Sequence, residues 1–197
     1  MIRHTVLAIS ALLIAACANI EHKSPQAKQQ IKQDLNIASI TATSTMSFSW
    51  HRIASPSVPL KYIPGIGILT PDSLLLVDYE NGKYVQKAIL KTNDVRCISD
   101  GNGQTFTVFT KQLAVSLIPY GEGTANNPIF RTQVIKLLTS KSQPYLQGDA
   151  AAFIRKTDRK DYSVSTLSAG GTTLPIVVGT DAYETYDPCP NATQAAH

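Results

Sequence analysis

The chain predicts an all-β body, an antiparallel sandwich or barrel of roughly eight to eleven strands, behind a short N-terminal tether helix. Three observations lead there. After residue 39 the apolar period changes from four to two: Ile40, Ala42, Ser44, Met46, Phe48 and Trp50 fall on one face, and Thr41, Thr43, Thr45, Ser47, Ser49 and His51 on the other. Strict alternation of this kind marks a half-buried strand, with the only tryptophan expected in the core. Asn81-Gly82 then stands between two strand-like runs, the strongest short-range hairpin signal. Glycine-centred breaks separate β-rich runs over the rest of the chain.

The first segment is not part of that body. Arg3 and His4 precede an apolar and small-residue run of eleven residues, Val6 to Ala16. A membrane-crossing helix needs roughly 18–20. A charged start, a short apolar stretch and small residues before a cut describe a secretory signal peptide over residues 1–16. Ile14-Ala15-Ala16-Cys17 resembles the lipobox of bacterial lipoproteins. The resemblance implies that Cys17 becomes the acylated first residue and attaches the chain to a lipid bilayer, because two or three acyl chains suffice for stable anchoring. Ala18 is not the aspartate that in this family retains lipoproteins at the inner membrane. The expected location is therefore the outer membrane, on its periplasmic face.

Residues 17–39 read as a lipidated tether. Ser24-Pro25 is a helix-start signal, and Ala27, Ile31 and Leu35 make one narrow apolar stripe among lysines and glutamines. The β domain is expected over residues 40–189. A two-residue turn at Asn81-Gly82 pairs Glu80 with Lys83 and Tyr79 with Tyr84. Asp100 to Gly103 repeat the turn chemistry. Prolines 56, 59 and 64 mark a stiff connector or edge, and "IFRTQVIKLL" at 129–138 fits either a strand or a short helix. Residues 157–161 read as a polar tip between strands, and Gly170-Gly171 as a break after which a strand resumes. Residues 190–197 read as a frayed tail.

Beyond Cys17, two cysteines remain, Cys97 and Cys189. In an exported chain that even pair implies a disulfide stapling the C-terminal end to the body, contributing about 4–5 kcal/mol in the chain-entropy model. The formal net charge of +4 is scattered, and its densest cluster, Arg155 to Lys160, is interrupted by Asp158. A nucleic-acid partner is not indicated, since binders of that kind show a basic stripe or face.

The residues offer no catalytic constellation. His22 falls in the tether, His51 on the polar strand face and His197 at the terminus. No metal spacing of the HxxxH or CxxC kind occurs, and the GxG pairs at 65/67, 101/103 and 121/123 lack the lysine and hydroxyl of a phosphate loop. They read as turns. No enzyme activity, metal or small-molecule cofactor is expected. Two binding surfaces are: an acidic, aromatic strip of Asp181, Tyr183, Glu184, Tyr186 and Asp187 beside the disulfide, and the loop "PYGEGTANNPIF" at 119–130.

"CISDGNGQTFTVFTKQLAVSL" and "LQGDAAAFI" are also similar to stretches of membrane-bound lysozyme inhibitors. That resemblance implies an inhibitory loop entering a glycosidase cleft, and it stands as the alternative. The leading expectation is a non-catalytic envelope lipoprotein whose partners are other envelope proteins, in a secretion, pilus or conjugation complex.

Overall fold

The alternating stretch does form a strand, β1 (Ala42–Arg52), and it lies in the middle of the sheet. The computed structural model describes residues 20–53, 61–101, 103–121, 126–169 and 171–190, so the signal segment and Cys17 lie outside it. Helix α1 (Pro25–Leu35) precedes β1. After it come β2 (Ile63–Leu69), β3 (Ser73–Glu80), β4 (Lys83–Lys91), β5 (Cys97–Asp100), β6 (Phe106–Phe109) and β7 (Leu113–Tyr120). Helix α2 (Pro128–Leu138), β8 (Tyr145–Gln147), β9 (Ile154–Ala169) and β10 (Thr172–Thr185) complete the order. The protein is mostly β, as expected, with two α-helices among the described residues.

Eight strands form one sheet in the order β4-β3-β2-β1-β7-β6-β5-β8, and β9 and β10 form a separate two-stranded ribbon. All neighbours in the large sheet are antiparallel except β5 and β8, which run parallel. The described strands do not close into a barrel, since β4 and β8 end the order. Nor do they build a second sheet of comparable size, as a sandwich requires.

The middle of the sheet is buried on both faces, which explains why "GIGIL" and "SLLLV" are continuous apolar runs with no alternation. On one face Met46, Phe48, Leu69, Leu74 and Leu76 pack with Phe130, Val134 and Leu138 of α2. On the other, Ile66, Ile68, Leu75 and Val77 pack with Ile31 of α1.

Gly65 and Gly67 are not turn residues. Both lie inside β2, where a Cβ at Gly65 would sit 2.5 Å from the Val77 carbonyl oxygen and 2.7 Å from Phe48 Cε1. A Cβ at Gly67 would sit 2.9 Å from Met46 Cε and 3.1 Å from the Phe130 ring. The missing side chains make room for the aromatic core.

Helix α1 starts where its sequence says: the Ser24 hydroxyl accepts from the Ala27 N–H at 3.1 Å, with Pro25 in the first turn. It stops at Asn36 in the left-handed region, φ 51°. It is not a free tether, however. Ala27 and Ile31 are buried, Gln30 donates to the Gly82 carbonyl at 2.8 Å, and Asp34 accepts from the Tyr84 N–H at 2.9 Å. The apolar stripe is a docking face.

The Asn81-Gly82 hairpin has the expected register, Glu80 opposite Lys83 and Tyr79 opposite Tyr84, with both turn residues at positive φ. Trp50 departs from expectation. It is 41% exposed, because β1 pairs with β2 only as far as Phe48 and beyond it has, among the described residues, β7 as its one strand neighbour. The ambiguous segment 129–138 is helical: Asn127 caps α2 by accepting from the Phe130 N–H at 3.1 Å. Much of the expected loop at 119–130 is therefore the end of β7 and the start of α2, and its residues 122–125 lie outside the described set.

Arg131 of α2 and Tyr145 of β8 both donate to Asp100 at the end of β5. Burial opposes the charge on Asp100, but those two hydrogen bonds and the guanidinium charge outweigh it and hold the carboxyl below its ordinary range. Cys97 of β5 and Cys189 are joined in a disulfide across 92 residues, packed with Phe109 and Ala114.

The glycine packing yields a test. Gly65→Ala should lower unfolding free energy by about 2–3 kcal/mol, since the nearest obstacle is backbone and overpacked cores pay on that scale. Gly101→Ala, with open space around the added carbon, should stay within about 0.5 kcal/mol of the parent. Urea unfolding of both variants measures the difference.

Candidate functional site

The feature that the core does not explain is the ribbon of β9 and β10. Its pairing runs from Thr185 opposite Ile154 to Thr172 opposite Ala169, broken by one irregularity between Asp181 and Tyr183. The two strands meet at Ala169 and Thr172, and Gly171 between them has φ 82°. Residues 157–161, expected as a polar tip, lie within β9, so that hairpin and its successor are one long arm.

The base of the arm is charged and tied to the body. Ala182 and Thr185 are buried, and the Tyr186 N–H donates to the Phe153 carbonyl at 2.8 Å. The five residues of the acidic strip sit here. Asp181 pairs with Lys156 at 2.7 Å and Lys160 at 3.5 Å, and Glu184 pairs with Arg155 at 2.6 Å. The hydrogen bond from Lys156, aided by its charge, holds the Asp181 carboxyl below its ordinary range. Asp187 pairs with Arg96 and accepts from the Cys189 N–H at 3.0 Å. Tyr186 lies under Arg155 at 5.6 Å, and Tyr183 is exposed. All three acids are met by cations of the same chain, so the strip is an internally neutralised collar and not an open acidic surface.

Beyond the collar the chemistry changes. Residues 162–180, "YSVSTLSAGGTTLPIVVGT", are nineteen in number and carry no charge. Every described side chain from Asp158 to Ser168 and from Thr173 to Thr180 is exposed, including Tyr162 at 72%, Val164 at 73% and Val177 at 69%. Directly opposed residues share a face. One face therefore carries Leu167 and Leu174, Ser165 and Ile176, and Ser163 and Val178. The other carries Ser168 and Thr173, Thr166 and Pro175, Val164 and Val177, and Tyr162 and Gly179. The first is the more apolar. An isolated two-stranded hairpin is marginal in water, and native edges are normally guarded by charge. Among the described residues nothing covers this arm, and no charge guards its edges between Asp161 and Asp181. The charge-free interval between Asp161 and Asp181, centred on Gly170-Gly171, was the signal in the sequence that could have revealed it.

The histidines do not assemble a reaction centre. His22, expected in the tether, is buried against the polar side of β1, with Nδ1 2.9 Å from Thr43 Oγ1 and Nε2 3.2 Å from Thr45 Oγ1. It borders a cavity of about 430 Å³ together with Glu21, Ser44 and Asn127. His51 stacks on Phe153 with centroids 6.1 Å apart, and neither ring nitrogen has a partner among the described residues. Burial depresses the basicity of both imidazoles, helped at His22 by the charge of Lys23. Among the described residues no group of three or more His, Cys, Asp or Glu is placed to hold a metal.

No family model matches the chain, and no curated protein matches it. Among solved structures it is similar to the DH/PH fragment of PDZRHOGEF crystallised with human RhoA, at 15% identity and TM-score 0.40, over 59% of this chain and 33% of that one. The linker-DH/PH domains of p115-RhoGEF give 14% and 0.38 over 61% and 33%, and inhibited Vav1 gives 8% and 0.40 over 70% and 40%. The chain thus spans about a third to two-fifths of the length of these structures, and a likeness so weak carries no argument about activity or partners. The expectation of an envelope assembly component, with its lysozyme-inhibitor alternative, finds no support in any of these comparisons and is not carried forward.

A pH test follows from the two imidazoles. A histidine whose folded basicity is depressed refuses a proton that the unfolded chain accepts, so stability is lost as pH falls below about 6.5. The melting temperature should drop between pH 7.5 and 5.5. The drop should shrink in His22→Gln and shrink further when His51→Gln is added. An equal drop in all three proteins would remove these groups as its source.

Proposed function

We propose that this chain acts on a lipid bilayer, into which the hairpin 162–180 inserts. The observation that carries the reading is the nineteen-residue interval without charge, exposed on both faces and bounded by charged residues at its base. Its dimensions suit the task. Eight residues of β9 and nine of β10 lie between the collar and the turn, and at ~3.4 Å per residue they reach ~27–31 Å. Inclined by roughly 40°, strands of that length cover most of the apolar band of about 25 Å found on membrane β-barrels. No described helix is long and apolar enough to cross a membrane, a finding that leaves strands free to do so. An acylated Cys17, implied by the lipobox resemblance, would add a second contact with the same bilayer.

The test uses the full chain with vesicles of phosphatidylethanolamine and phosphatidylglycerol. A fluorophore on Leu174→Cys should be quenched by brominated acyl chains, and one on Lys83→Cys should not. Adding Ile176→Arg should reduce insertion at least tenfold, because a cation near the bilayer midplane costs about 2–4 kcal/mol. The melting curve should hold, since Ile176 lies in the exposed arm. Quenching unaffected by Ile176→Arg would overturn the reading.

A further inference from the structure

We infer that the arms of several copies of this chain pair edge to edge, β9 of one copy against β10 of the next, to close a barrel within the bilayer. The inference rests on the insertion reading and names the partner that insertion requires. Among the described residues the ribbon has two strands, and the outer edges of both β9 and β10 have no strand beside them in a single copy. Water can satisfy those backbone groups, but hydrocarbon cannot, and open sheet edges do not occur in a lipid interior. A lone hairpin solves the side-chain problem and leaves the backbone problem standing.

Stacking two arms face to face does not solve it either. A hairpin face ~30 Å long and ~10 Å wide buries ~600 Å² in such a pair. That is well short of the ~1,200–2,000 Å² of a stable interface, and four edges stay open. Edge pairing gives both edges of every copy a partner strand at once. Its direction follows from geometry. In bodies held on one side of a membrane, every β9 runs away from its body and every β10 runs back. The antiparallel neighbour of β9 in one copy is therefore β10 in the next, a head-to-tail contact that closes by rotation.

The two faces then divide. The more apolar face, with Leu167, Leu174, Ile176 and Val178 beside Ser163 and Ser165, meets lipid; the face with Thr166, Ser168 and Thr173, which also carries Tyr162, Val164, Pro175 and Val177, lines the interior. Pro175 gives no N–H to either neighbour, so the ladder is one donor short at that level. Eight strands are the fewest among membrane barrels, which sets a minimum of about four copies.

Singly substituted full-length proteins, Ser163→Cys, Ser165→Cys or Leu167→Cys on β9 and Leu174→Cys, Ile176→Cys or Val178→Cys on β10, are mixed pairwise in vesicles of the composition above and oxidised. The expected result is disulfide dimers between β9 and β10 variants, at least fivefold above β9–β9 mixtures, in assemblies of four or more copies. Thr166→Arg should leave insertion within twofold of the parent, in contrast with Ile176→Arg. Insertion without cross-links, β9–β9 products in excess, or a monomeric inserted species would each overturn the barrel and leave the insertion reading intact. Arm cysteines that stay fully open to a membrane-impermeant maleimide would sink the insertion reading itself.

Discussion

The body depends on two absences in β2. With hydrogen at Gly65 and Gly67, the ring of Phe48, the thioether of Met46 and the ring of Phe130 all come down onto one strand. Any Cβ at Gly65 would meet a carbonyl oxygen in β3, which cannot swing aside as a side chain can. The close approach seats α2 on the sheet, and α2 in turn brings Arg131 to Asp100, where Tyr145 of β8 also arrives. One steric permission in the centre thus fixes the helix, the last strand of the sheet and the end of β5.

Local chemistry was the legible part. Ser24-Pro25 fixed the start of α1, and Asn81-Gly82 fixed the register of its hairpin down to the pairs Glu80–Lys83 and Tyr79–Tyr84. Those signals act within four residues of chain and need no partner. The failures came where a distant element decided the outcome. The GxG at 65 and 67 looks like any other glycine pair until Phe130, more than sixty residues later, is laid on it. Trp50 continues the alternation of β1, but β2 ends its pairing two residues earlier and leaves the indole at the rim. The parallel partnership of β5 with β8 has no local signature at all.

The arm was misread for a different reason. Its charged cluster at 155–161 resembles a solvated turn, and turn chemistry was the rule that worked elsewhere. Here the charges form a collar with Asp181 and Glu184, and the true tip lies nine residues further on. What separates the two readings is the sequence on both sides of the glycines considered together: nineteen residues in which no side chain asks for water as a counter-ion would. The molecule consequently has two unlike parts. In the sheet, apolar groups are covered by the chain's own helices; in the arm, they are left for the surroundings to cover.

The docking of the N-terminal segment changes how the body would ride on a membrane. Ile20 already packs against the cluster around Ile31, and His22 is bonded to β1. Only Ala18 and Asn19 separate Ile20 from Cys17, three steps of chain with a reach of at most ~11 Å. A body held through a lipid at that position would not swing on a leash of some twenty residues. It would ride flush with the headgroups, able to spin about the membrane normal but not to tumble, and every copy would present the same side to its neighbours.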